Sequence, residues 1–267
     1  MKRPIGIIGC GNMGSALIDG ILTKHFRTAS ELLVWDSDVR KRKQAVRAFK
    51  VREARSNADL VSRVQTVLIA VKPQQMAEVL AEIKPHIHKS PILISIAAGI
   101  PISWIKRHVG TDVHVIRVMP NTPALIGQGV SAIAGGSEVW DMELHHAELL
   151  FKSVGEVVRV PERWMDAVTA VSGSGPAYFF YLMEQMIREG TALGLSRPVA
   201  KRLAVATAAG AAALAARGEE PAALRAKVTS QKGTTAAAFR VFERARLGRT
   251  MRAGIRAAAR RSKELSR

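Results

Sequence analysis

Six residues near the start of the chain, Gly9-Cys10-Gly11-Asn12-Met13-Gly14, constrain it most. A short apolar run over residues 4–8 precedes them, and residues 15–22 continue with helical spacing. A Gly-x-Gly-x-x-Gly turn between a strand and a helix asks something different of each glycine. Gly9 permits the tight turn, Gly11 lets the backbone approach a pyrophosphate, and Gly14 lets helix and strand pack closely. The helix then offers free N–H groups and the positive end of its dipole to phosphates. Dinucleotide binding is the expectation. Cys10 fills a variable position of the turn and is expected to pack or to offer its backbone rather than to react.

Further strand patterns follow at residues 32–35, 66–71, 92–96, 113–119 and 130–134, with a last edge strand expected at 157–160. Helical patterns fall between most of them, notably at 57–62, 74–83, 101–109 and 141–153. Alternation of this kind predicts an α/β fold with a doubly wound, mainly parallel sheet. Gly9, Asp36, Lys72, Ala97 and Asn121 all fall just after strands, where such sheets bind ligands. Asp36 ends the second strand, where an acid accepts hydrogen bonds from the ribose and favours NAD. The cluster Arg40-Lys41-Arg42-Lys43 can neutralise a 2′-phosphate and favours NADP. Both readings stand, as does a solvated helix turn for the cluster. Asn121 either orients a nicotinamide carboxamide or holds the Asn-Thr-Pro turn.

Composition limits the compartment and the partners. The 267 residues are 48% hydrophobic and 23% charged, ordinary for a globular protein with room for two domains. Cys10 is the only cysteine, so no intrachain disulfide forms, which fits a reducing compartment. The apolar run after the basic start is too short for a signal segment, and none reaches the roughly 18 residues of a membrane helix. A cytoplasmic protein without membrane contact is expected. The net charge of +18 is diluted among alanine-rich helices without interleaved aromatics. Anionic small molecules or solubility account for it, and no nucleic-acid partner is expected. His86, His88, His108, His114, His145 and His146 show no motif spacing, so no metal is expected.

Pro161 sets the expected boundary between a dinucleotide-binding domain, residues 1–160, and a helical domain, residues 161–267. A helix is expected from Glu162, interrupted or kinked by Ser172-Gly173-Ser174-Gly175-Pro176. Helices at 177–193 and 197–216 follow, the second extremely rich in alanine. Small residues at that density suit close helix packing against another chain, so a dimerisation domain is expected. Val228-Thr229-Ser230-Gln231-Lys232-Gly233-Thr234-Thr235 leads into another helix. N–H and hydroxyl donors at a helix start suit a carboxylate, and Thr234 or Thr235 can equally serve as an ordinary N-cap. Arg240, Arg244, Arg252, Arg256 and Arg260 read as one basic helix face.

Taken together, the chain resembles the pyrroline-5-carboxylate reductases over nearly its whole length. The matching pieces are the glycine turn, Asn57, Ala70-Val71-Lys72-Pro73, Ala97-Ala98-Gly99, Met119-Pro120-Asn121-Thr122-Pro123, Asp166-Ala167-Val168-Thr169, Ser172 to Tyr178, and the loop from Val228 to Thr235. The glycine turn is common to many dehydrogenases; the last two pieces are far more specific. The resemblance implies a Rossmann domain followed by a helical domain that interlocks with a partner chain. A homodimer, and a decamer as its larger assembly, are the implied states. It also implies cofactor contacts at Ile8, Gly9, Cys10, Gly11, Asn12, Met13, Gly14, Asn57, Ala70, Val71, Lys72, Pro73, Ile96, Ala97 and Ala98, with NADPH or NADH as cofactor. Ser230, Gly233, Thr234 and Thr235 would grip the substrate carboxylate, with Thr235 also near the ring nitrogen and Glu162 at an acidic substrate position. Thr235 and Ser174 are the candidate catalytic residues. The family loop usually reads Ser-Pro-Gly-Gly-x-Thr, whereas here Lys232 stands at a glycine position. Either the loop geometry differs or Lys232 is held at positive φ.

The activity implied is hydride reduction of Δ1-pyrroline-5-carboxylate, a cyclic imine carboxylate, to L-proline, the last step of proline biosynthesis. Two alternatives share the fold: a related imine or hydroxyacid reductase, for which Lys201 and Lys227 lack a suitable glycine-rich turn, and a non-catalytic regulator with an altered loop at Lys232.

Overall fold

Four-residue strands that are apolar on both faces need cover on both sides. Alternate residues of β1 (Ile5–Ile8) enter two separate cores, Ile5 and Ile7 one and Ile8 the other. β2 (Leu32–Trp35) divides likewise, Leu32 and Val34 against Leu33. On the first face pack α1 (Asn12–Thr23), α2 (Val39–Phe49) and α6 (Asp141–Phe151); on the second, α3 (Asn57–Arg63), α4 (Met76–Ile83) and α5 (Ile102–Val109).

The computed structural model describes residues 4–87 and 91–265; His88 lies outside them. The described residues complete the sheet with β3 (Arg52–Glu53), β4 (Thr66–Ile69), β5 (Ile92–Ser95), β6 (His114–Met119), β7 (Gly129–Gly135) and β8 (Gly155–Arg159), in the order β3-β2-β1-β4-β5-β6-β7-β8. Neighbours are parallel except the β6–β7 pair. The mainly parallel, doubly wound sheet is therefore as expected. β3 was not anticipated: a two-residue, exposed edge strand leaves no periodic signal.

Contacts divide the chain after Gly173, and residues 258–265 belong with the sheet. The sequence placed the break at Pro161. The intervening segment stays with the sheet because Met165 is fully buried beside Ala132 and Ala134. The Ser262 hydroxyl also donates to Asp166 Oδ1 at 2.7 Å. The segment runs as α7 (Met165–Val168) and then a wide π-helical turn at Thr169–Gly173, before α8 (Gly175–Ala192) starts with Pro176 in its first turn. The interruption expected from the glycines and proline thus takes the form of a widened turn.

The second unit, Ser174–Ala257, holds α8, α9 (Arg197–Ala215), α10 (Pro221–Lys227), α11 (Thr234–Arg244) and most of α12 (Leu247–Leu265). Only Ala200 and Ala204 of α9 are buried, while Phe179, Phe180, Tyr181, Leu182 and Leu203 are more than half exposed. The expected single basic face is not formed. Arg246 turns the chain at φ 54 between α11 and α12, so Arg240 and Arg244 stand on one helix and Arg252, Arg256 and Arg260 on another.

His146 of α6 lies against the Phe26 ring, with centroids 5.6 Å apart. Burial, then the Arg27 charge, holds its pKa below the ordinary histidine value. The unfolded chain takes up this proton near pH 6.5 while the folded chain does so only at lower pH. His146 is therefore cost-free above that pH and lowers stability as pH falls through and below it. Thermal melts across this range should show His146→Gln flattening the acid-side loss of Tm.

Candidate functional site

Backbone packed against backbone builds the turn between β1 and α1. Gly9 sits at φ 104 and its N–H donates to Trp35 O at 2.7 Å. A Cβ on Gly9 would lie 2.6 Å from Ala70 O, and one on Gly14 would lie 2.0 Å from Gly9 O. At Gly11 a Cβ would meet nothing within 4 Å, so the backbone is open there to a ligand. Gly11 is also the N-cap of α1, with no side chain capping it. The first-turn N–H groups, with Asn12, Met13 and Gly14, are left free for an anion. Cys10 offers its backbone, donating to Asp36 Oδ2 at 2.7 Å. Burial, then the Asp36 charge, pushes its thiol up to about 12, so it stays protonated at neutral pH and is no nucleophile.

A cleft of about 320 Å³ opens at this turn. Ile8, Gly9, Gly11, Asp36, Asn57, Ala70, Val71 and Lys72, all expected cofactor contacts, are among the residues that line it. Lys41 of the basic cluster lines it too, and Trp35, Val79 and Glu82 line it without having been foreseen. Asn57 is buried and donates to Glu82 Oε2 at 2.6 Å, while its Oδ1 has no partner among the described residues. An orphaned buried acceptor beside a cleft calls for a ligand donor. Together with the glycine cradle it fits a dinucleotide. Cys10, Asn12, Met13 and Gly14 belong to the turn and first helical turn, outside the cleft lining, and Pro73 opens the short helical turn after Lys72. Ile96, Ala97 and Ala98 follow β5 and Asn121 follows β6, at the same carboxyl edge of the sheet but likewise outside the lining.

Asp36 is held by its own neighbourhood. Oδ1 accepts from Asp38 N at 2.8 Å while Oδ2 takes the Cys10 N–H. Within the basic cluster, Arg42 is fully committed. It donates to Asp36 O at 2.6 Å, pairs with Glu53 at 2.6 Å, and lies over the Trp35 ring at 4.0 Å. Lys41 alone of the cluster lines the cleft, and it pairs with Asp38 at 3.5 Å.

Further along the sheet, Asn121 shows the turn-holding role of its two. Its Oδ1 accepts from Val130 N at 2.9 Å and its Nδ2 donates to Ser172 O at 3.2 Å. Glu162 Oε1 accepts from Ile102 N at 2.7 Å, capping α5, and from buried Arg117 Nη1 at 3.3 Å. Arg117 was missed, although a lone charge inside the apolar strand run at 113–119 was its signal.

In the second unit, Ser174 immediately precedes α8 and its carbonyl accepts from Ala177 N at 3.0 Å. The loop from Val228 ends in an open helix start. Gly233, not Thr234 or Thr235, is the N-cap of α11, and no side chain caps it. A Cβ on Gly233 would lie 2.4 Å from Ser230 Oγ, so the loop brings the Ser230 hydroxyl against the helix start. Lys232 takes φ 61, the left-handed conformation that glycine ordinarily supplies.

Fold and cleft define a Rossmann-type, dinucleotide-dependent oxidoreductase. Residues 162–265 match the family model for pyrroline-5-carboxylate reductase dimerisation, and residues 4–99 match that for F420-dependent NADP oxidoreductases. A pyrroline-5-carboxylate reductase of Pseudomonas aeruginosa is 40% identical, with 100% of this chain and 98% of the relative covered. The solved reductase of Coxiella burnetii matches with a TM-score of 0.93 at 30% identity, over 100% of both chains. The Plasmodium falciparum enzyme, solved with NADP bound, matches at TM-score 0.90 and 30% identity, over 100% of this chain and 99% of that one. This chain belongs to the pyrroline-5-carboxylate reductase family.

Two outcomes follow from the glycine and lysine geometry. Gly14→Ala puts a methyl group into Gly9 O, so the turn must open, and dinucleotide affinity should fall about tenfold or more by calorimetric titration while the fold is retained. Lys232→Gly relieves a left-handed residue and should raise stability by up to ~1 kcal/mol in denaturant unfolding; a loss of stability would mean that the lysine side chain holds the loop.

Proposed function

We propose that this chain reduces Δ1-pyrroline-5-carboxylate to L-proline with hydride from NAD(P)H, the last step of proline biosynthesis. The observation that carries the proposal is full-length kinship to reductases of that name, at 40% identity to one of them. The open start of α11 supports it. The N–H groups there, with the hydroxyls of Ser230, Thr234 and Thr235, suit a carboxylate. Lys232 at φ 61 supports it too, because the substitution leaves the backbone in the conformation a glycine would take. That weighs against the regulator reading, which needed a damaged loop.

The bound nicotinamide supplies the hydride. The protein's task is then orientation: the carboxylate fixed by the loop and the ring plane presented to the cofactor. A protonated imine accepts hydride at carbon and becomes the neutral secondary amine, so one proton at nitrogen completes the balance. Thr235 lies in the first turn of α11 and is proposed to hydrogen-bond that nitrogen or to relay its proton through water. Ser174 is the second catalytic candidate, on the strength of its motif. Glu162 is proposed to act from behind, since its carboxylate is engaged by Ile102 and Arg117.

The assembly is a homodimer through the helical unit, with a decamer as the larger form. The family match to a dimerisation model and the exposed aromatic run at Phe179, Phe180 and Tyr181 support a self-partner. A cytoplasmic location without membrane or nucleic-acid partners is part of the proposal, the single cysteine fitting a reducing compartment; among the described residues no helix is long and apolar enough to cross a membrane.

Purified protein supplied with pyrroline-5-carboxylate and either reduced nicotinamide should turn over, and no turnover with bound cofactor would sink the proposal. Thr235→Ala should lower kcat/KM by about a hundredfold with dinucleotide affinity unchanged. Undiminished turnover would remove Thr235 from the mechanism.

A further inference from the structure

The glycine turn sets where the dinucleotide lies, but the end of β2 sets which dinucleotide. Resting on the reading of the cleft as a dinucleotide site, we infer that it selects NADH over NADPH, with Asp36 as the specificity-determining residue. The adenosine 2′ position separates the two cofactors. In NADH it is a hydroxyl, which can donate; in NADPH it is a phosphate with close to two negative charges and strong acceptor oxygens.

Asp36 is built to accept. Both carboxylate oxygens already take backbone N–H groups, from Cys10 at 2.7 Å and Asp38 at 2.8 Å. These bonds pin the side chain at the cleft wall and leave each oxygen a further lone pair for a ribose hydroxyl. A phosphate brings no comparable donor and meets a fixed like charge that cannot swing away.

The rest of the wall does not offset this. Asp36, Asp38, Glu78 and Glu82 line the cleft against Lys41 and Lys72, an acidic excess of two. The basic cluster, which argued for NADP from sequence, is elsewhere engaged. Arg42 is spent on Asp36 O, Glu53 and the Trp35 ring, and neither Arg40 nor Lys43 lines the cleft. Lys41 does, but Asp38 neutralises it at 3.5 Å. The Plasmodium relative carries NADP, so the fold admits the phosphorylated form. The choice in this chain follows from its own β2 end.

The test is equilibrium binding to the full-length chain, followed by tryptophan fluorescence, since Trp35 lines the cleft. NADH should bind at least about tenfold more tightly than NADPH, and 5′-AMP more tightly than 2′,5′-ADP in competition with it. The gap should narrow as salt is raised, because the penalty is charge against charge. Asp36→Asn keeps an acceptor for Cys10 N–H and should shrink the NADH-to-NADPH ratio by about tenfold, chiefly through tighter NADPH. Should the variant fold poorly, the wild-type mononucleotide competition decides alone. Equal or tighter NADPH binding overturns the inference while leaving the cleft a dinucleotide site. An unchanged ratio in folded Asp36→Asn overturns the role of Asp36. Binding of neither dinucleotide overturns the reading of the cleft and this inference with it.

Discussion

A methyl group on Gly14 would stand 2.0 Å from the carbonyl oxygen of Gly9, and one on Gly9 would stand 2.6 Å from that of Ala70. This three-way approach of backbone fixes how closely α1 packs between β1 and β4. The sheet order places β2 and β3 on one side of β1 and β4 onward on the other, so the chain reverses direction across the sheet at that same pair. A crevice opens at such a switch point, outside the carboxyl ends of the strands. The cleft, the free start of α1 and the pinned Asp36 all depend on that approach. Larger side chains would separate helix from strand and move the N–H groups away from the wall that Asp36 and Asn57 form.

What the sequence made legible were features carried by neighbours in the chain. The glycine turn has a fixed local grammar, and apolar runs between turns report strands without any knowledge of their partners. Gly9, Asp36 and Lys72 could be placed at one edge because parallel strands all end there. The features that escaped are pairings across space. Glu82 holds Asn57 across 25 residues, and Glu162 meets Arg117 across 45. No local pattern specifies which acid meets which donor. Arg42 shows the same limit in reverse. It looks like part of a basic cluster, yet the Trp35 ring and Glu53 remove it from any phosphate.

The second unit obeys different physics. The first half of α8, with Phe179, Phe180, Tyr181 and Leu182 in succession, is apolar on nearly every face, and such a stretch is stable only when covered all round. Within one chain α8 packs on α9, and those four side chains remain more than half exposed. Alanine at Ala200 and Ala204 lets the two helices approach without filling the remaining faces. Exposure on this scale in a helical unit is the mark of an interface, consistent with its match to a dimerisation family. The alanine content was readable in the sequence. Which faces stay open was not, because it depends on how α8 and α9 meet.

Helix starts pose the same chemical problem in each unit. An α-helix begins with N–H groups that lack partners, and most starts here deal with them. Asp38 caps α2, Ser56 caps α3, and Glu162 accepts from the first N–H of α5. Pro176, Pro198 and Pro221 each remove a donor from the first turns of α8, α9 and α10. α1 and α11 do neither: each starts on a glycine N-cap with no side chain supplied and no proline in its first turn. Donors left open at these two glycine starts suit anions from outside the chain. The proposed reaction needs two such anions, a dinucleotide pyrophosphate at Gly11 and a substrate carboxylate at Gly233. The dipole and the N–H groups supply the positive end without a long side chain to order, and Lys232 is tolerated beside Gly233 because its backbone accepts the geometry of the glycine it replaces.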